Sequence, residues 1–275
     1  MRLASAAAAV PFLLGLAYLG DPFYGAFICI ACTYAAYELR NLLRAGGYAS
    51  MDFALFATAI LLPLDAWLHP DPVSLAASGL SLGADGLLLI GSIVVVSLVA
   101  LLFQPTSERS LVGWALSLGL ALYLGGLMQF YLPLRRAPND IPFPGFWVMA
   151  LLGLSWVCDS GAFFVGRALG RTPLAPSISP KKSVEGALAG LVGAALFGPI
   201  LGLIFGVSPL LMAGYGLAIA GATIVGDLVE SLLKRQMGAK DSGVLIPGHG
   251  GLLDRMDSLL FCAPVAVLYL RAFAP

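Results

Sequence analysis

The sequence predicts an all-α, polytopic integral membrane protein with about nine transmembrane helices. Three observations carry this. Hydrophobic residues make up 59% of the chain and charged residues only 11%, where a soluble domain has about 45–50% and about 25%. The mean hydropathy is +0.93. The apolar residues fall in uninterrupted runs of bilayer length, about 20 residues each, separated by short polar or Pro/Gly-rich connections.

Nine such runs follow in order: Leu3–Leu19, Phe23–Leu39, Met51–Leu68, Asp85–Phe103, Leu111–Leu132, Gly145–Val165, Glu185–Val207, Pro209–Leu233 and Ser258–Ala274. The first has only Arg2 as a basic flank, and a second run follows at once, so it reads as a span and not as a cleaved signal. Asp71–Ala84 is the weakest stretch and reads equally as a loop, a re-entrant segment or part of a longer span. The high Gly and Pro content is compatible with membrane helices. The small residues of Gly186-Ala187-Leu188-Ala189-Gly190, continued by Gly193, either allow close helix packing or simply fill lipid-facing surface.

Nine spans put the N-terminus and the even-numbered exits on one side. That side carries Arg2, Arg40, Arg44, Arg109, Arg167, Arg171, Lys181, Lys182, Lys234, Arg235, Lys240 and Arg255, and the other only Arg135, Arg136 and Arg271. Twelve basic residues against three make the first side cytoplasmic by the positive-inside rule, with the C-terminus outside. The expected location is a bacterial plasma (inner) membrane. Zero net charge points away from nucleic acid. The four cysteines, Cys29, Cys32, Cys158 and Cys262, have no His or carboxylate cluster beside them in sequence, so they give no metal or disulfide framework.

Charge divides the chain into residues 1–144, expected as a scaffold of helices, and residues 145–275, expected as the catalytic region. In the first part, Asp21, Glu38, Arg40, Arg44, Asp52, Asp65, His69, Asp71 and Asp85 read as solvated residues at span ends. In the second, Asp159, Glu185, Asp227, Glu230, Lys234, Asp241, Asp254 and Asp257 lie within or against apolar runs, where a charge costs about 2.5–3.5 kcal/mol and marks function by default.

Three clusters emerge. Asp159, in Trp156-Val-Cys-Asp159-Ser-Gly, lies well inside the sixth run, and an interhelical hydrogen bond or ion pair would also account for it. Ser177-Ile-Ser179-Pro180-Lys181-Lys182-Ser183-Val-Glu185-Gly186 is a basic segment entering the seventh run. Its lysines, hydroxyls and helix start suit phosphate, with Glu185 favourable to the helix dipole; lysines at a membrane boundary also serve topology alone. In the third, Asp227, Glu230, Ser231 and Lys234 are spaced 0, 3, 4 and 7 and share one helical face. Lys240-Asp241, a glycine-rich segment around His249, and Asp254-Arg255-Met-Asp257 follow. Paired carboxylates beside basic residues suit Mg²⁺ with a nucleoside triphosphate, although a salt-bridged helix end, Asp227/Glu230 with Lys234/Arg235, fits the spacing too.

The run Ser231-x-x-Lys234-Arg235-x4-Lys240-Asp241-x-Gly243-x3-Pro247-Gly248-His249-Gly250-Gly251-x-x-Asp254-Arg255-x-Asp257 resembles the signature of the phosphatidate cytidylyltransferases. The Asp159 helix with its Gly166-Arg167 and the Ser179-Pro180-Lys181-Lys182-Ser183-x-Glu185-Gly186 segment resemble that family as well. The match covers Trp156–Ser258. Ser183 stands where Thr is commoner in the family, and Val184 where an aromatic residue is common.

The resemblance implies a membrane enzyme, a homodimer with a cytoplasm-facing cavity reached laterally by lipid. It would join CTP to phosphatidic acid, giving CDP-diacylglycerol and pyrophosphate. On that reading Asp227 and Asp254 hold Mg²⁺, and Asp257 or Asp159 supports them or completes a second cation position. Lys181, Lys182, Lys234, Arg235, Lys240 and Arg255 hold phosphates, Ser179 and Ser183 donate to phosphate, and Glu185, Ser231, Asp241 and His249 complete the substrate site. Two rivals share parts of the pattern: a CTP-dependent lipid or polyprenol kinase, which would release CDP, and an ion-coupled transporter, which would show flux without CTP turnover.

Overall fold

The computed structural model describes residues 2–69, 84–103, 110–137, 141, 143–243 and 250–274. The elements in order are α1 (Arg2–Leu19), α2 (Phe23–Ala45), α3 (Asp52–Leu68), α4 (Ala84–Leu101), α5 (Ser110–Ala121), a π-helical turn (Leu122–Gly126), α6 (Tyr131–Arg136), α7 (Phe146–Leu169), β1 (Pro173–Ala175), β2 (Ser179–Ser183), α8 (Val184–Phe205), α9 (Pro209–Gln236) and α10 (Leu253–Phe273). The stretch Asp71–Ala84 lies outside the described residues except for Ala84, where α4 begins.

The protein is an all-α membrane protein with one small departure. Five stretches are long and apolar enough to cross a membrane: Ser110–Arg136, Phe146–Leu169, Val184–Phe205, Pro209–Gln236 and Leu253–Phe273. They fall on the last five runs of the sequence, and α1 to α4 fall on the first four. Ala9–Leu19 and Leu88–Leu101 are shorter apolar helices. The departure is the hairpin of β1 and β2, antiparallel, with Pro173 opposite Ser183 and Ala175 opposite Ser179.

The chain forms two compact units: Met1–Ser5, Asp21–Pro133 and Lys234–Asp254 in one, and Ala6–Gly20, Leu134–Leu233 and Arg255–Pro275 in the other. In the first unit, α2, α3 and α5 make the core. Glycine lets backbones touch there: a Cβ on Gly113 would collide with the Ala49 carbonyl, and one on Gly125 would lie 2.7 Å from the Ala59 Cα. Ser117 Oγ accepts from Met51 N at 2.9 Å, so the start of α3 is tied to α5. The α2–α3 turn is closed by Arg44, which donates to Asp52 Oδ2 (2.9 Å) and Ser50 Oγ (2.9 Å). Asp65 and His69 pair at 2.9 Å with the imidazole largely exposed, as expected for a span end. Glu38 corrects the expectation of solvated charge: it is 2% exposed. It lies on the buried stripe Ala31, Ala35, Glu38, Leu42, whose helical spacing turns it inward.

In the second unit, α8 buries Gly186, Gly190, Ala194, Gly198 and Gly202, every fourth residue. A Cβ on Gly186 would lie 2.7 Å from the Ala162 carbonyl oxygen of α7, and one on Gly190 the same distance from that of Cys158. Gly198 and Ala194 face α9 in the same way, at Met212 and Gly216. The small residues therefore serve close packing, at Gly186 and Gly190 more than at Gly193, which is in ordinary contact with Val157. Tyr215, fully buried, donates to the Trp147 carbonyl at 3.1 Å, and Thr223 donates to Ser155 Oγ at 3.1 Å. Leu188, Val192, Leu196, Leu203 and Ile204 of α8 point outward and are exposed, as lipid-facing side chains would be.

Candidate active site

In the second unit, the hairpin, α7, α9 and α10 carry five of the predicted residues. The hairpin carries Lys182 to Asp227 of α9, where Lys182 Nζ pairs with Asp227 Oδ2 and both side chains stay about a third exposed (27% and 31%). Lys182 is half-buried on this pair while Lys181 is exposed. Asp159 of α7 feels the charges of Asp257, Asp227 and Lys182. Ser231, one turn beyond Asp227, places its hydroxyl 3.5 Å from Asp227 Oδ1. The α9–α10 crossing is close at this level: a Cβ on Gly226 would lie 2.9 Å from the Asp257 carbonyl oxygen. Asp257 Oδ1 itself accepts from Ser258 N at 2.7 Å.

Glu185 and Ser183 hold the hairpin to α8. Ser183 caps the helix, accepting from Gly186 N at 3.2 Å, a standard N-cap arrangement. Glu185 accepts from Arg171 N (3.1 Å) and Thr172 N (3.1 and 3.2 Å). Its carboxylate is thus spent on the backbone that leads into β1, and an anion suits that work better than it suits a phosphate. Ser179 is half-buried in β2.

In the first unit, Lys234 Nζ donates to Asp254 Oδ1 at 2.6 Å, and both are well covered (12% and 7% exposed). Asp254 Oδ2 accepts from Ser242 N (2.9 Å) and Gly251 N (2.8 Å). Asp254, expected from the sequence to hold a metal, has its oxygens turned to one ammonium and two backbone N–H groups. Asp227 thus pairs with Lys182 and Lys234 with Asp254. Arg235 donates to the Ala239 carbonyl at 3.2 Å; Lys240, Asp241 and Arg255 are exposed. His249 lies outside the described residues.

Among the described residues, no three His, Cys, Asp or Glu side chains form a ready metal cage. The donor chemistry nevertheless fits a hard divalent cation. Asp227 pairs with Lys182, and Asp159 lies within electrostatic reach of Asp227, Asp257 and Lys182, an excess of negative charge with oxygen donors. Mg²⁺ is commonly held by one or two carboxylates with the remaining positions taken by substrate phosphates and water. Sequence reasoning missed Glu38, which accepts from Leu252 N and Leu253 N at the start of α10. Its place on a helical apolar stripe was the signal that could have found it.

Comparison with known proteins gives one consistent answer. A family model described as "Cytidylyltransferase family" matches residues 1–273. A phosphatidate cytidylyltransferase of Synechocystis is 32% identical over 301 aligned positions, covering 100% of this chain and 97% of that protein. One of Brucella suis is 38% identical over 200, covering 71% and 70%. One of Bacillus subtilis is 39% identical over 158, covering 56% and 57%. The chain belongs to the cytidylyltransferase family.

Proposed function

We propose that this protein transfers the cytidylyl group of CTP to phosphatidic acid, forming CDP-diacylglycerol and pyrophosphate in the membrane. The observation that carries this is the Asp159, Lys182, Asp227 and Asp257 constellation in a chain whose full-length relative is named for that reaction.

A phosphate oxygen of phosphatidate, anionic at neutral pH, attacks the α-phosphorus of CTP. The new P–O bond forms as the bond to the β-phosphate bridging oxygen breaks, and pyrophosphate leaves with that electron pair. No general base is required. The barrier is the approach of one anion to another, so catalysis is positioning and charge neutralisation. Lys182, Lys234, Arg235, Lys240 and Arg255 hold phosphates, with Ser179, Ser183, Ser231 and the more exposed Lys181 at the edge; His249 and Asp241 contact substrate. Asp227 and Asp257, with Asp159 beside them, would hold Mg²⁺, singly or as a pair of cations. Bound there, the cation would supply positive charge beside the triphosphate and the departing pyrophosphate. Asp254 fixes Lys234 and the segment before α10, and Glu185 fixes the hairpin that carries Lys182.

The same reading gives nine spans, the N-terminus and active site on the cytoplasmic side of a bacterial plasma membrane, the C-terminus outside, and a homodimer. Residues 1–144 supply the scaffold and residues 145–275 most of the chemistry. The excess of basic residues on one side supports the orientation.

The test is pyrophosphate release by purified protein in detergent with phosphatidate, CTP and Mg²⁺, with EDTA and Asp227→Asn controls. Release that needs all three, with a CDP-lipid product, is the expected result. CDP release would replace this reading with a kinase.

A further inference from the structure

We propose that Glu38, in α2 and outside every motif that carries the family resemblance, is a positioning residue for the reaction. It fixes the first turn of α10 and Ser242, and through them the Lys234–Asp254 pair. The inference rests on the proposed function for its kinetic consequence and on geometry alone for its structural one.

Glu38 is 2% exposed. Its Oε1 accepts from Leu252 N at 3.0 Å, and its Oε2 accepts from Leu253 N at 2.8 Å and Ser242 Oγ at 3.4 Å. The neighbouring donors end on the same network. Gly251 N donates to Asp254 Oδ2 at 2.8 Å, and Asp254 N donates to Ser242 Oγ at 3.3 Å. Four consecutive N–H groups, from Gly251 to Asp254, are thus all received by side chains. A helix start leaves such groups without intrahelical partners, and a carboxylate there is favoured by the dipole as well.

An ordinary cap is local, from a residue beside the helix. Here the acceptor comes from a residue 214 positions earlier in the chain. A buried carboxylate is costly unless its oxygens are hydrogen-bonded, so these donors are what allow Glu38 to be buried. The fit is tight. A Cβ on either Gly243 or Gly251 would lie 2.5 Å from Glu38 Oε1, so two glycines close onto one carboxylate.

The link to chemistry is short. Ser242 joins Glu38 to Asp254, and Asp254 Oδ1 holds Lys234 Nζ at 2.6 Å. Asp257 follows Asp254 by one turn of the same helix. Loss of the Glu38 carboxylate frees the start of α10 and lets Asp254 and Lys234 leave their geometry. Glu38→Gln keeps the shape but presents an amide NH₂ to a backbone N–H, so one hydrogen bond becomes a repulsion.

The experiment compares wild type, Glu38→Gln and Ser242→Ala, all full-length in detergent. Hydrogen–deuterium exchange is read at residues 250–256, and steady-state kinetics with CTP and phosphatidate are measured alongside. The expected result for Glu38→Gln is exchange about tenfold faster at these amides only. It comes with kcat lowered about tenfold or more and the KM for CTP within about threefold, because the interaction lost matters most in the transition state. Ser242→Ala moves both readouts the same way by less, and it decides the matter if Glu38→Gln does not fold. Faster exchange with unchanged kcat, a fall in kcat with unchanged exchange, or wild-type values of both would each overturn the proposal. A wild type without CTP turnover defeats the proposed function, and the exchange arm then decides the structural claim alone.

Discussion

Lys182, near the end of the second strand of the hairpin, is ion-paired to Asp227 on α9, while Lys181, one residue earlier, is exposed. Two adjacent lysines with the same charge are thereby given different positions in the hairpin. The pair also shows how the carboxylate-rich centre keeps a cation beside Asp227.

This difference predicts unequal roles. Lys182→Ala and Asp227→Asn are each expected to lower kcat by about 10²–10³, the range for removing a preorganised charged group. Lys181→Ala is expected to lower it by about threefold, since an exposed charge is screened by solvent. Pyrophosphate release under saturating CTP measures all three. Equal losses at Lys181 and Lys182 would show that the hairpin register has no bearing on function.

The three acidic residues predict a metal requirement of graded depth. EDTA is expected to abolish turnover and added Mg²⁺ to restore it. Asp257→Asn and Asp159→Asn are each expected to raise the Mg²⁺ concentration for half-maximal rate, the first by about tenfold or more, because each removes a negative oxygen donor from the set available to a hard cation. A titration of rate against free Mg²⁺ decides this. A curve unmoved in both variants would remove the carboxylates from the metal site.

Glu185 binds the backbone of Arg171 and Thr172, so its loss is expected to loosen the hairpin and not to remove a substrate contact. Glu185→Ala should lower kcat about tenfold, with little change in melting temperature and increased protease cleavage between residues 171 and 183. A rise in the KM for CTP with an intact hairpin would instead make Glu185 a substrate contact.

The glycine stripe of α8 predicts a stability effect remote from the chemistry. Gly190→Leu puts a side chain where a Cβ alone would lie 2.7 Å from the Cys158 carbonyl oxygen. Overpacking of this kind costs about 1–3 kcal/mol. The variant should melt lower in detergent than Gly193→Leu, whose nearest neighbour is at 3.5 Å. Equal melting temperatures would mean that α7 and α8 move apart without cost.

The sequence by itself determined the class and much of the chemistry. Apolar runs of bilayer length need a helix, because lipid offers the backbone no partners, so the helices lie where the runs lie. Asp159, Asp227 and Asp257 stand out as charges against apolar surroundings, and Lys182 as part of a basic segment entering a helix, both local properties. What only the tertiary structure decided is which of these charges meet. Asp227 and Lys234 share one face of one helix, yet one pairs with Lys182 and the other with Asp254. The hairpin that separates Lys181 from Lys182 has no strong strand former in Ser179-Pro180-Lys181-Lys182-Ser183; it is held by Glu185 and by its partner strand. Glu38 looked like one more charge near a helix end. It became a buried acceptor because two backbone N–H groups and a hydroxyl from far along the chain converge on it. Spacing along the chain fixes the face a residue occupies; only the packing of distant segments fixes its partner.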